Sequence, residues 1–142
     1  MKTKNPLESI YFITLPDDYK FSEKAMKIDP TIEIPVQEKT NDAPGSFNPK
    51  EITEEQILAG ILTVLAYDKK NPHLDYYRAF MKAAKPNIKT ELCEAAILKT
   101  KNEDYELAEE IFLALLGYDP EDPAVILNMA LFLDQRADSY RN

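Results

Sequence analysis

The chain is poor in the residues on which most cofactor and metal chemistry depends. Its 142 residues include one cysteine, Cys93, one histidine, His73, and no tryptophan. A single cysteine excludes an internal disulfide, and these two residues cannot form a zinc site from cysteine and histidine ligands alone. The three glycines, Gly45, Gly60 and Gly117, cannot make a phosphate-binding loop or a dinucleotide-binding turn. We therefore expect no cofactor and no metal.

Long hydrophobic runs are also absent. The longest nearly apolar run, Ile57 to Tyr67, covers 11 residues and contains Gly60 and Thr63. A membrane-spanning helix needs about 20 apolar residues, so this run predicts a buried helix instead. The first residues lack the continuous apolar stretch that is typical of a secretory signal. These observations predict a cytoplasmic protein that does not span a membrane.

Basic residues are too few for nucleic acid to be the main partner. The chain has 17 lysines and arginines against 25 aspartates and glutamates, a net charge of -8 and a pI near 4.7. Proteins that bind phosphate backbones draw affinity from clustered lysine and arginine. The same acidic excess disfavours binding to anionic membranes, so we expect a protein or peptide partner.

The proline distribution divides the chain into two parts. Residues 1–50 hold six of the ten prolines, and proline blocks the interior of a helix. We therefore predict a mostly irregular, proline-rich leader over residues 1–50 and a helical domain over residues 51–142. The β-branched and aromatic residues of 8–16 and 31–36 predict that parts of the leader dock on the domain. Residues 39–49 are rich in turn-forming residues and predict a flexible hinge.

From residue 51 onward the hydrophobic period is helical. The first helix is expected to start at Asn48-Pro49, or at Thr53 with Gln56 three residues later. The pattern predicts five helices, which cover residues 53–67, 72–84, 88–102, 104–117 and 122–138. Their short connections favour antiparallel neighbours, and no strand pattern competes in this part of the chain.

An internal repeat links two of these helical segments. A shift of 34 residues places Pro86 on Pro120 and Ala96 on Ala130. Residues 89–122 resemble a tetratricopeptide repeat, and the match is carried by Leu92, Ala95, Ala96, Asp104, Tyr105, Ala108, Phe112, Asp119 and Pro120. The resemblance implies an all-α fold in which antiparallel helical hairpins stack as a short solenoid. The alternative is an unrelated helical bundle.

The small side chains Ala96 and Ala108 have a physical role in this interpretation. They allow two antiparallel helices to approach to roughly 8–10 Å, while Tyr105 and Phe112 fill the space beside the contact and towards the next unit. Gly60 is expected to be the corresponding small residue of the preceding unit.

The resemblance also implies which side chains line the concave face of such a stack. These are Ile57, Ile61, Val64, Thr90, Cys93, Ile97, Lys101, Leu127, Leu131 and Gln135. The set is mostly apolar and lacks the lysine and asparagine pattern with which family members hold a C-terminal carboxylate. We expect this groove to take an extended or helical segment from a partner, or the chain's own leader through Ile10, Tyr11, Phe12, Ile13 and Leu15. The alternative is that a groove in so short an array packs on itself.

The residues therefore favour a protein-interaction module that is not an enzyme. Cys93 lies in an apolar context, which predicts a buried structural thiol with a raised pKa, and His73 is expected at the surface. An enzyme that uses Cys93 is the weaker alternative. A stronger alternative is an assembly subunit, because the last helix begins with the nearly all-apolar segment "AVILNMALFL" and is suited to oligomerisation.

One charged segment stands out in the helical domain. Residues 103–122 contain eight acidic residues and no lysine or arginine. Such a segment either keeps an exposed helix soluble or steers a basic partner by long-range attraction.

Overall fold

The structure, a computed structural model, describes residues 5–16, 18–21, 24–25, 27–38 and 52–141. Its five helices are α1 (Glu54–Tyr67), α2 (Leu74–Ala84), α3 (Ile88–Lys101), α4 (Tyr105–Tyr118) and α5 (Pro123–Arg141). Each bound lies within three residues of its predicted position, so the helix prediction is confirmed. The hinge predicted over residues 39–49 lies outside the described residues.

Helix α1 begins at the capping box predicted from Thr53 and Gln56. The Thr53 hydroxyl accepts a hydrogen bond from the Gln56 backbone N–H at 3.2 Å, and the Thr53 N–H donates to the Gln56 side-chain oxygen at 2.9 Å. Two N–H groups that an isolated helix end leaves unpaired are thereby satisfied.

The leader is more regular than its prolines predicted. After a short 3-10 helix at Pro6–Ser9, its described residues form four strands: β1 (Ile10–Ile13), β2 (Lys20–Phe21), β3 (Lys24–Ala25) and β4 (Ile34–Gln37). Strands β1 and β4 pair antiparallel, as do β2 and β3. Pro35 is accommodated because β4 lies at the edge of a two-stranded sheet, where a missing N–H donor is tolerated. No strand occurs in residues 52–141, as expected.

The leader strands share a hydrophobic core with α1 and α2. Ile34 and Val36 of β4 are fully buried in this core. The Tyr77 hydroxyl of α2 donates a hydrogen bond to the Glu33 carbonyl at 2.7 Å, and burial raises the pKa of Tyr77 to about 12. The leader is therefore docked, as its apolar segments predicted.

A second core joins α3, α4 and α5, and it confirms the predicted close contact between helices. Ala96 of α3 and Ala108 of α4 are both fully buried there. The centre of the Phe112 ring lies 5.2 Å from the centre of the Phe132 ring of α5, and the centre of the Tyr105 ring lies 6.3 Å from it. Tyr105 and Phe112 of α4 thus fill the space towards the next helix.

Helix α1 packs in a way that the repeat pattern did not predict. It lies between β4 on one side and α4 on the other, and its contact with α4 is more extensive than its contact with α2. The two helices approach closely at Gly117, where a side chain would overlap the Leu65 carbonyl. Gly60 was expected to contact the second helix of its own hairpin, but it instead faces the Pro35 carbonyl of β4.

Candidate protein-interaction face

The three predicted groove residues on α1 are not available to a partner. Ile57, Ile61 and Val64 are 0–1% exposed and pack in the first core with the leader. The expectation that they line an open groove is therefore wrong for this part of the chain. The reason is that strand β4 occupies the space beside α1.

A hydrogen bond also joins β4 to α1, beside the apolar contacts. The Gln56 side-chain amide donates to the Gln37 carbonyl at 3.0 Å, so an outward-facing backbone acceptor of the edge strand is satisfied. The segment that we expected to cover the helix, residues 10–15, lies mainly one strand further out, in β1. Leu15 is buried, whereas Phe12 of β1 is 41% exposed.

Four predicted groove residues lie on α3, and most of them face solvent. Ile97 is 42% exposed, and Thr90 and Lys101 are exposed as well. Cys93 is only partly exposed because it packs against the second core. A single exposed isoleucine is ordinary on a protein surface, so its meaning depends on the apolar side chains of the neighbouring helix.

The last three predicted residues lie on α5 and face solvent as well. Leu127 and Leu131 are 59% and 58% exposed, and Gln135 is exposed beside them on the helix. Their spacing of four places them on one face. They follow Cys93, Ile97 and Lys101 by 34 residues each, and α3 and α5 are in contact. We name the seven residues on these two helices the α3–α5 face.

Lys89 fixes the start of α5 beside α3. Its ammonium group contacts the Asp119 carboxylate at 2.6 Å and the Asp122 carboxylate at 2.7 Å, on both sides of the turn between α4 and α5. The other Asp122 oxygen accepts a hydrogen bond from the Ala124 N–H at 2.9 Å, which caps α5. Sequence reasoning missed this role of Lys89, because the partners lie about thirty residues away along the chain.

Arg136 fixes the other end of α5 on α4. Its guanidinium group contacts the Glu109 carboxylate at 3.2 Å and lies 6.0 Å from the centre of the Phe132 ring. Lys89 holds one end of α5, Arg136 holds the other, and the aromatic cluster packs between them. The side of α5 that bears Leu127 and Leu131 therefore faces solvent.

The ion pairs of Lys89 predict a pH-dependent stability. The hydrogen bond from Lys89 lowers the pKa of Asp122, and the two carboxylates raise the pKa of Lys89. The contribution of Asp122 is therefore present above its unfolded pKa of about 3.9 and is lost as the pH falls through the folded pKa. The contribution of Lys89 is present below about pH 10.4 and is lost as the pH rises through its folded pKa.

Replacing Lys89 by methionine should consequently destabilise the chain at pH 7 and have less effect near pH 3. Unfolding by urea across this pH range measures the difference from wild type. Lys99→Met, on the same helix, is the control, since Lys99 forms no ion pair with a described residue. A Lys89→Met difference that is constant from pH 7 to pH 3 would contradict the assigned pairing.

Cys93 has the surroundings of a structural thiol. Burial, together with the Asp122 carboxylate, raises the pKa of Cys93. A raised pKa lowers the fraction of thiolate, which is the nucleophilic form. His73 is the N-cap residue of α2, and its ring centre lies 6.4 Å from that of Tyr77. Cys93 lies on α3.

A groove between α1 and α4 was not predicted. It has a volume of about 510 Å³ and is lined mainly by apolar side chains, with Glu110 and Tyr67 among its polar residues. The small side chains Ala59 and Ala66 of α1 and Ala114 of α4 leave this space. The α1–α4 contact that creates it depends on tertiary packing, so no local pattern in the sequence indicates it.

Comparisons with protein-family models, with curated proteins and with solved structures gave no match. Among the described residues, no helix has the length and apolar character needed to cross a bilayer. The same residues contain no group of three or more histidine, cysteine, aspartate or glutamate side chains arranged to hold a metal ion.

Proposed function

We propose that the chain is a protein-interaction module that binds a polypeptide segment on the α3–α5 face. The observation that carries the proposal is the exposure of Ile97, Leu127 and Leu131, three large apolar side chains on two helices in contact. Exposed apolar surface that other residues could have covered is typical of a binding site. The corresponding residues of α1 are already covered by β4, so the face consists of α3 and α5 only.

The test uses peptides selected from a random display library against the wild-type chain. Replacing Leu131 by glutamate should weaken their binding roughly tenfold or more, because a charge then lies where an apolar side chain must pack. Fluorescence anisotropy with purified variants measures the loss.

Leu98→Glu is the matched control. Leu98 is 56% exposed, nearly the same as Leu131, but it lies next to Ile97 on α3 and so points about 100° away from it. Selected peptides should bind this variant as they bind wild type. Equal binding to the Leu131→Glu variant would contradict the proposal.

The second candidate function is an assembly subunit that oligomerises through α5. It is favoured by Ile126 and Leu133, which are about half exposed and lie seven residues apart on another side of the same helix. This spacing repeats one heptad and suits helix-to-helix association. Light scattering at two concentrations tests it, since an assembly subunit forms oligomers without an added partner.

A further inference from the structure

Acidic charge and exposed apolar side chains are concentrated in the same helices. Residues 88–142 contain 12 acidic and 5 basic residues, a net charge of -7 out of the total of -8. Of the nine large hydrophobic side chains that are exposed in the described residues, all but Phe12 lie in α3, α4 or α5. A partner can recognise both negative charge and exposed apolar side chains. Their presence on the same helices therefore indicates the chemistry of a partner.

Most of this negative charge is not neutralised within the chain. The exposed carboxylates that form no ion pair with a described residue are Glu94, Glu103, Asp104, Glu106, Glu110, Glu121 and Asp134. Lys89 and Arg136 are engaged in ion pairs, whereas Lys99 and Lys101 form none with a described residue, so the unpaired carboxylates outnumber the unpaired lysines. The field around these helices is consequently negative and attracts cations.

The backbone hydrogen bonding of α3 and α5 favours a helical occupant over an extended strand. The groups in the middle of a helix are hydrogen-bonded to one another, so these helices present no edge with which an extended strand could pair. A helical occupant satisfies its own backbone and presents apolar side chains every three or four residues. Leu127 and Leu131 have this same spacing.

From these observations we infer that the occupant of the α3–α5 face is a basic amphipathic helix. The inference rests on the proposed function and names the partner class for that same face. Lysine and arginine beside the apolar side of such a helix are attracted by the negative field of α3, α4 and α5, while its apolar side covers Ile97, Leu127 and Leu131. A second copy of this chain fits less well, because the helices that bear the face, within residues 88–142, carry a net charge of -7 and two copies therefore repel each other.

Two synthetic amphipathic helices with the same leucine face test the inference. One carries lysine and the other glutamate at every polar position, and fluorescence anisotropy measures the binding of each to the full chain. The lysine peptide should bind at least tenfold more tightly. Its affinity should fall as salt is raised from about 50 to about 500 mM, since salt screens exposed charges.

The Leu131→Glu variant separates specific binding from general attraction. It adds a negative charge, so attraction alone would tighten the lysine peptide, whereas loss of the apolar contact should weaken it roughly tenfold. Leu98→Glu adds the same charge away from the face and should not weaken binding. Tighter binding to Leu131→Glu, or no binding of the lysine peptide to wild type, overturns the inference.

Two outcomes separate failure of the preference for a basic helix from failure of the proposed interaction face. Equal binding of the lysine and glutamate peptides, both weakened by Leu131→Glu, overturns the charge preference and leaves the interaction face in place. Library-selected peptides that ignore Leu131→Glu overturn the face itself.

Discussion

Replacing Gly117 by alanine is expected to cost about 3 kcal/mol of folding free energy, among the largest effects of any single methyl group in this chain. The added carbon would overlap the Leu65 carbonyl oxygen and would lie 2.5 Å from its carbonyl carbon. Both neighbours belong to the backbone of α1 and cannot rotate away. Helices α1 and α4 would have to move apart, and the Arg78 side chain, which donates to the Gly117 carbonyl at 2.8 Å, limits that movement.

The sign of the change in folding free energy distinguishes steric overlap from helix propensity. Alanine is favoured over glycine by about 1 kcal/mol inside an unhindered helix, so propensity alone would make the variant more stable. Ala83→Gly is the control, because Ala83 is exposed on α2 and should show the propensity effect alone, a loss of about 1 kcal/mol. Urea unfolding of the variants with a common m-value gives the comparison. A Gly117→Ala variant as stable as wild type would show that α1 and α4 do not approach so closely.

Replacing Gly60 by alanine is expected to displace the leader from α1. The added carbon would lie 2.6 Å from the Pro35 carbonyl carbon and 2.8 Å from the Val36 nitrogen, and would overlap the Pro35 carbonyl oxygen. Strand β4 would have to move away from α1, at a cost of about 2–3 kcal/mol. Ile57, Ile61 and Val64 would then become accessible.

Two measurements detect the displacement of the leader from α1. Urea unfolding gives the loss of stability, and the fluorescence of a dye that binds apolar surface should rise in the native baseline. Ala59→Gly, the neighbouring position on α1, is the control, because it costs about 1 kcal/mol through helix propensity and adds no atom against β4. Wild-type stability and unchanged dye fluorescence in Gly60→Ala would contradict the assigned contact.

The helices could be predicted because their signals are local. The capping pair Thr53 and Gln56, the break at Asp119-Pro120 and the apolar spacing within each helix require no knowledge of the rest of the chain. The packing of α3 on α4 with Ala96 and Ala108 buried was also predictable, since a small residue between two aromatic ones on one face indicates a close helix crossing. These features gave the correct bounds and the correct second core.

The packing of α1 could not be predicted in the same way. Gly117 indicates only the end of a helix when it is considered alone, and its contact with Leu65 joins residues about fifty positions apart. Strand β4 has the same difficulty, because Pro35 argues against a strand until its partner β1 and its cover α1 are known. The candidate site was consequently predicted on α1, α3 and α5, and its α1 part, Ile57, Ile61 and Val64, is wrong because the leader takes the place of a partner there.

The most direct test of the account is a methyl NMR titration of the full chain with the lysine peptide. The account predicts shifts of the Ile97, Leu127 and Leu131 methyl signals, while those of Ile57, Ile61 and Val64 stay in place under β4. Shifts confined to the α1 methyl groups, with the α3–α5 face unchanged, would contradict it.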